Sequence, residues 1–378
     1  MVVVMKPTLA CNAACRYCAS GEGEDHARFP ESALPELFRP FGEWLQAHPG
    51  ERVCWIWHGG EPLLMGRAFY EAVVDAQRAV LGPDAPRIRN VVQSNLSLLT
   101  PEWIPTLRRL VGRGSIGTSF DPVPGWRLLG RGAPAGEAYD DAWLRGTELL
   151  RRSGVRYGTV YVVHSESVGR AGEMYRFFRN HDSGAGARFN PLYIEGRAEG
   201  LDAGPVSPEE YGRFLIDLFD AWQADGRRMK AMPLAEWLGA WQGEERCLCC
   251  DSRGSCAATH LGIAPDGAVY TCGRGLDTGT TSHGNILRDP LEVILAHPHR
   301  KALLGRAESL RSGPCAGCEW WELCHGGCPH DALLGWGDEQ RETLWCESRQ
   351  MLFAHMREAL GPPEGGCASD REVSGAEH

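Results

Sequence analysis

Cys11-Asn12-Ala13-Ala14-Cys15-Arg16-Tyr17-Cys18 places three thiols within eight residues near the start of the chain. Three residues separate the first pair and two separate the second. Such spacing bends a short loop so that three thiolates converge on one cubane, one fewer than the four a 4Fe–4S cluster takes. The fourth iron is left open to bind and reduce a ligand. A zinc loop and a Cys15/Cys18 redox pair are the competing readings. Zinc sites usually close with four ligands, and no nearby His or Cys supplies the fourth.

Composition fits a chain with ample core and no polyanionic partner. At 378 residues it is long enough for two or three domains of about 100–200 residues each. The formal net charge of −10 argues against a nucleic-acid binder that works through phosphate contacts. Met1-Val2-Val3-Val4-Met5 is too short for a signal-peptide core, and no stretch approaches the ~20 apolar residues of a membrane span. A cytoplasmic protein without membrane partners is expected. Fifteen cysteines in such a chain point to metal, because disulfides do not persist there. They fall at two ends: Cys11, Cys15, Cys18 and Cys54, then ten from Cys247 to Cys346, and Cys367 in the tail.

Between those ends, short apolar runs alternate with amphipathic segments. Strands are expected over residues 1–7, 52–57, 88–93, 114–120, 158–164 and 187–193. Helices are expected over 32–47, 67–81, 101–113, 139–153 and 171–180. Repeated strand–helix units imply a parallel sheet, and six units fall short of an eight-unit barrel. The fold class is α/β: a partial (β/α)6 TIM-like barrel over residues 1–225, open on one side. A bridging region, 226–246, carries a helix near 233–241. Residues 247–350 read as a loop-rich iron–sulfur domain stabilised by metal, with a hairpin over 261–271 turning at Asp266-Gly267. Residues 351–378 hold a helix end and a polar tail, with disorder expected from 361.

Further residues cluster at strand ends, where such barrels place their sites. His58-Gly59-Gly60-Glu61-Pro62-Leu63-Leu64 follows the second strand. Its glycines permit close backbone approach, and Glu61 is suited to accept from an ammonium group, although the run also reads as an ordinary strand-to-helix turn. Gln93-Ser94-Asn95 ends the third strand and Ser119-Phe120-Asp121 the fourth, with Arg131 on the next loop. Phe189-Asn190-Pro191-Leu192-Tyr193 closes the sixth. In the C-terminal part, Cys315-Ala316-Gly317-Cys318 is followed by Cys324, Cys328 and Cys346, and Cys256 precedes Cys272 across Gly267. A zinc ribbon is the simpler reading of paired Cys-x-x-Cys motifs.

Taken together these motifs resemble the radical S-adenosylmethionine (SAM) superfamily, and the C-terminal cysteines resemble its SPASM extension. The resemblance spans roughly residues 1–350. It implies that Cys11, Cys15 and Cys18 hold a cluster whose open iron chelates SAM and cleaves it to a 5′-deoxyadenosyl radical. By the same resemblance, Gly59, Gly60 and Glu61 meet the SAM amino group, with Ser94 and Asn95 beside them. Ser119 and Arg131 hold its carboxylate, and Tyr17 and Leu192 lie at the adenine. Two auxiliary 4Fe–4S clusters follow, the first on Cys250, Cys256, Cys272 and Cys328 and the second on Cys315, Cys318, Cys324 and Cys346, making three in all. Sulfatase-maturing relatives place an Asp, proposed as a base, directly after the cysteine at position 272. Here that residue is Gly273, which argues against formylglycine formation, and His58 replaces their Gln.

The activity so implied is hydrogen abstraction from an unactivated C–H bond, with an electron donor such as flavodoxin or ferredoxin. Maturation of a ribosomal peptide by oxidative crosslinking is the expected role. The alternative is an epimerase or dehydrogenase acting on a small sugar-containing natural product, with Cys247 or Cys249 donating hydrogen. Asp121, Glu195, Asp202 and Trp55 or Trp57 are expected at the open side of the barrel. Cys54 is expected in the core, and Trp320 and Trp321 as packing around iron.

Overall fold

The computed structural model describes residues 1–19, 27–130, 138–244 and 250–363. Six parallel strands form the centre of one sheet: β1 (Val2–Met5), β2 (Val53–Trp57), β3 (Ile88–Ser94), β4 (Ser115–Ser119), β5 (Arg156–Val163) and β6 (Ala187–Pro191). They lie in sequence order, each joined to the next by a helical crossover. The helices are α1 (Leu34–Ala47), α2 (Gly66–Leu81), α3 (Trp103–Val111), α4 (Tyr139–Arg152) and α5 (Ala171–Asn180). Burial alternates along each strand because successive side chains face opposite sides of the sheet.

The helix-facing side is filled by aromatic rings. Trp55 lies 5.1 Å from Phe38 and 4.9 Å from Phe41, ring centre to ring centre, and Trp57 lies 5.8 Å from Tyr70. Both tryptophans are fully inaccessible. They therefore do not line the open side of the barrel, and register explains why. Val53, Trp55 and Trp57 share the face turned to α1 and α2, whereas Cys54 and Ile56 face the other way. Cys54 is accordingly half-buried and accepts a hydrogen bond from Arg89 Nη2 at 3.2 Å.

Beyond the six expected strands the sheet continues on both edges. β7 (Ala231–Met232) pairs with β6, and β8 (His260–Ile263) pairs in parallel with β1, Val3 opposite Leu261. β9 (Ala268–Tyr270) returns antiparallel to β8 through the expected turn at Asp266-Gly267, and β10 (Gly284–Asn285) closes that edge. A two-stranded hairpin is marginal alone. Pairing with β1 lets Leu261, Ile263 and Val269 become fully inaccessible. The cysteine-rich part thus has a core of its own, continuous with that of the barrel, in addition to any bound metal.

The helix α6 (Pro208–Ala224) starts at a capping box, with Ser207 Oγ accepting from Glu210 N at 3.1 Å and Glu210 Oε2 accepting from Ser207 N at 2.8 Å. It packs against the last helix, Cys346–Leu360, whose Ser348 donates to Pro208 O at 2.5 Å. The expected disordered tail lies, from residue 364, outside the described residues. Among the described residues no helix is long and apolar enough to cross a membrane.

Candidate functional site

The C-terminal ends of β1 to β6 open on a cavity of about 320 Å³. Its floor is the cysteine loop after β1. The loop is strapped by backbone hydrogen bonds from Ala14 N to Leu128 O at 2.7 Å, Arg16 N to Trp126 O at 3.0 Å and Gly130 N to Asn12 O at 2.8 Å. The Cys11, Cys15 and Cys18 thiols lie within electrostatic reach of one another. Burial, then Glu61, then the other two thiols push Cys11 up to about 12. A bound cation reverses that penalty, since a coordinating thiol is deprotonated outright.

The Gly-Gly-Glu turn presses directly on this loop. Gly59 has φ of +126°, and a Cβ on Gly60 would stand 2.2 Å from Ala10 O. Glu61, 1% exposed, accepts from Ser94 Oγ at 2.9 Å, Asn95 N at 2.8 Å and Leu63 N at 2.9 Å. Burial raises its carboxyl to about 7 against the opposing pull of those bonds. Asn95 Nδ2 donates to Asn12 Oδ1 at 3.0 Å, so Glu61, Ser94 and Asn95 form one polar wall beside the cysteine loop. Ser119 Oγ accepts from Gln93 Nε2 at 3.0 Å, and both residues line the cavity.

Arg131 lies outside the described residues, one position beyond Gly130. Arg127 lines the cavity instead, its guanidinium 5.2 Å from the Tyr17 ring centre and 5.8 Å from that of Tyr139. Tyr17 is buried and donates to Asp121 Oδ2 at 3.3 Å, and His164 Nε2 reaches the same oxygen at 3.1 Å. Asp121 therefore braces the back of the cysteine loop and does not face the opening. Leu192 is 2% exposed and lines a separate cavity of about 50 Å³ with Val206, Leu344 and Trp345, while Pro191 and Tyr193 line the main one. Asp202 is exposed and outside the cavity wall, whereas Glu195 lines it and pairs with His330 at 2.9 Å.

The far wall comes from the C-terminal part. Arg274 stacks 3.7 Å from the Tyr193 ring centre and donates to Asp331 Oδ1 at 2.7 Å. Asp277, at the end of the helix Gly273–Asp277, lines the cavity and forms an ion pair with Lys6, which is 1% exposed. His58 stands beside them. Burial and then the Lys6 charge lower it to about 4, so the ring is neutral near pH 7, with Nδ1 2.8 Å from Gly59 N. Sequence reasoning missed Lys6, Asp277, Arg127 and Arg274. Asp277 alone had a local signal: it follows Gly273 by four residues, and helical spacing sets such positions on one face.

The C-terminal thiols separate into two groups. Cys328 lies within electrostatic reach of Cys256 and Cys272, and Cys346 within reach of Cys324, Cys315 and Cys318. Cys328 thus lies with Cys256 and Cys272 and apart from its sequence neighbours Cys318 and Cys324. Cys250 is exposed at the edge of the described residues, and Cys247 and Cys249 lie outside them. Among the described residues, no three His, Cys, Asp or Glu side chains converge as one metal ion requires. Thiols on a single zinc, each about 2.3 Å from it, crowd far closer together than ligands on the corners of a cubane. Trp320 and Trp321 are buried, Trp320 stacking 6.0 Å from Trp241.

Residues 5–178 match the model of the radical SAM superfamily. The serine-type anaerobic sulfatase-maturating enzyme of Klebsiella aerogenes is 29% identical over 345 residues, covering 86% of this chain and 79% of that one. The cysteine-type enzyme of Clostridium perfringens is 25% identical over 368 residues, covering 93% and 95%. Among solved structures, native anSMEcpe with bound AdoMet and Cp18Cys peptide superposes with a TM-score of 0.79 at 20% identity, over 95% of this chain and 97% of that one. Streptococcus suis SuiB bound to precursor peptide SuiA gives 0.59 at 14% identity, over 90% and 74%.

Proposed function

This chain belongs to the radical SAM superfamily, in its SPASM-bearing class, and we propose that it oxidises a residue within a peptide or protein by removing two hydrogens. Its cofactors are SAM and three 4Fe–4S clusters. When bound, they supply a 5′-deoxyadenosyl radical able to take hydrogen from an unactivated carbon. Cys11, Cys15 and Cys18 hold the cluster that meets SAM. Cys256, Cys272 and Cys328 hold the first auxiliary cluster, with Cys250 as fourth ligand, and Cys315, Cys318, Cys324 and Cys346 hold the second. Glu61, Ser94 and Asn95 take the amino end of SAM, with Gly59 and Gly60 letting the backbone approach. Ser119, with Arg127 and Arg131, takes the carboxylate, and Tyr17 and the strand end at Pro191 and Tyr193 bound the adenine. A flavodoxin or ferredoxin supplies electrons.

Asp277 in the cavity wall, paired with the buried Lys6 behind it, is the observation that carries the oxidative reading. Removing two hydrogens from a Ser, a Cys or a neighbouring pair of residues gives one hydrogen atom to the 5′-deoxyadenosyl radical and leaves one proton and one electron, the electron for the auxiliary cluster that Cys256, Cys272 and Cys328 would hold. A carboxylate beside the cysteine loop, held by a buried ammonium, is placed to accept the proton. Gly273 removes the carboxylate from one position of this helix and Asp277 restores one a turn later, so the departure at Gly273 does not count against proton transfer. The relatives' names favour oxidation of a single Ser or Cys over a crosslink between two residues.

The test is mass spectrometry of Ser- and Cys-containing peptides after anaerobic reaction in light and heavy water. A Ser peptide should lose two hydrogens, with one 5′-deoxyadenosine formed per product. Asp277→Asn should lower product about 100-fold, the low end of general-base effects, while SAM cleavage persists. A redox-neutral product carrying one deuterium would mean epimerisation instead, and product at the wild-type rate from Asp277→Asn would remove the proposed base.

A further inference from the structure

Arg306 opens the helix Arg306–Arg311 and is 2% exposed, yet it makes no ion pair among the described residues. Its fork binds carbonyls only: Nη1 donates to Gly327 O at 2.7 Å, and Nη2 to Gly326 O at 3.0 Å and Arg341 O at 2.5 Å. Nε is buried without a partner. A buried guanidinium with no carboxylate in contact costs several kcal/mol, so other negative groups nearby must compensate it.

The surroundings name that compensation. Arg306 lies within electrostatic reach of Cys328 and Cys256 from one thiol group and of Cys324 and Cys315 from the other. The carbonyls it grips belong to the crossover between Cys324 and Cys328. There His325, Gly326 and Gly327 all take left-handed conformations, with φ of 49°, 76° and 71°, and carry the chain from one thiol group to the other. Arg274 and Arg349 also touch thiols, at 3.7 Å from Cys328 Sγ and 3.5 Å from Cys324 Sγ. Each of those, however, touches a carboxylate of its own in Asp331 or Asp251. Arg306 touches none among the described residues: Glu342, within its electrostatic reach, forms its ion pair with Arg341 at 3.1 Å.

We propose that Arg306 is the shared counter-ion of the two auxiliary clusters and raises the reduction potential of both. This rests on the cysteine assignment given above. Reducing a cubane held by four thiolates adds one negative charge. A fixed cation in a low-dielectric site stabilises that reduced form more than the oxidised one. Because one guanidinium faces both groups, it acts on both potentials, which keeps the two clusters matched as a path for electrons leaving the substrate side.

The experiment uses the full chain with Cys11, Cys15 and Cys18 replaced by Ala, so that only the auxiliary clusters report, and titrates it with dithionite under electron paramagnetic resonance. This parent should hold about eight iron, two cubanes' worth. If it does not, the cysteine assignment fails, independently of Arg306. Given that iron, Arg306→Gln should lower the reduced-to-oxidised ratio of both clusters at least tenfold at a fixed potential, about 59 mV for one electron. Arg306→Lys, which keeps the charge and loses the fork, should stay within about twofold of the parent. Unchanged potentials in the Gln variant, or a shift in one cluster only, would overturn the proposal. If the Gln variant loses iron, the Lys variant decides: a tenfold shift there makes the fork and not the charge responsible, and overturns it equally.

Discussion

Glu61 combines burial with a charge. Its carboxyl is 1% exposed, receives three hydrogen bonds and is nevertheless raised to about 7, because burial outweighs those bonds. The folded protein therefore holds this proton up to a higher pH than the unfolded chain does, where the group titrates near its ordinary 4.5. The sign follows: the penalty is absent below the unfolded value, grows between the two, and is complete above about 7. From pH 5.5 to 8 the SAM-free protein should lose about 2 kcal/mol through this group, at 1.36 kcal/mol per unit. Glu61→Gln should abolish that loss, checked by anaerobic denaturant unfolding at the two pH values. An equal pH slope in both proteins would place the titration elsewhere. Glu61 was legible in sequence because Gly-Gly-Glu is a contiguous run that follows a strand. Lys6 and Asp277 were not, since 271 positions separate them and only the pairing of β8 on β1 brings them together.

The turn after β2 shows what contiguous runs do reveal. Two glycines are needed because the turn lies against the backbone of the loop after β1, and no side chain stands there to yield. A Cβ at Gly60 would meet Ala10 O at 2.2 Å and Leu9 O at 2.4 Å, both main-chain atoms. Gly60→Ala must therefore move one of two backbone segments that frame the proposed SAM site. We expect SAM binding at least tenfold weaker by equilibrium dialysis, about 1.4 kcal/mol or more, with the auxiliary iron content unchanged. Normal SAM affinity would show that the turn tolerates displacement. The six parallel strands were legible from alternation, and the helix Ala171–Asn180 matched to the residue. The partner of the 261–271 hairpin was not, because edge-to-edge pairing leaves no periodic mark: β8 reads as a short apolar run whichever strand it joins.

That pairing decides how the whole molecule holds together. The sheet runs without a break from β10 through β1 to β7, so the C-terminal part supplies the neighbour that β1 would otherwise lack. Three further ties cross the same divide: Lys6 to Asp277, Glu195 to His330, and α6 to the helix Cys346–Leu360. Both contacts are largely buried, and breaking a buried ion pair such as Lys6–Asp277 by removing one partner costs about 3–5 kcal/mol because the other charge stays uncompensated. A chain ending at Gln242 would leave Lys6 and Glu195 unpaired and expose the β1 edge from Val2 to Met5, four apolar residues with free backbone donors and acceptors. Such a truncation should be insoluble, or soluble only as aggregates by size-exclusion chromatography, even though it retains all six barrel strands. In the intact protein the same ties should make unfolding cooperative, so that tryptophan fluorescence and the visible absorbance of the clusters are lost at one denaturant concentration. Two separated transitions, or a monomeric and folded truncation, would mean that the barrel is stable without the strand that the C-terminal part adds to it.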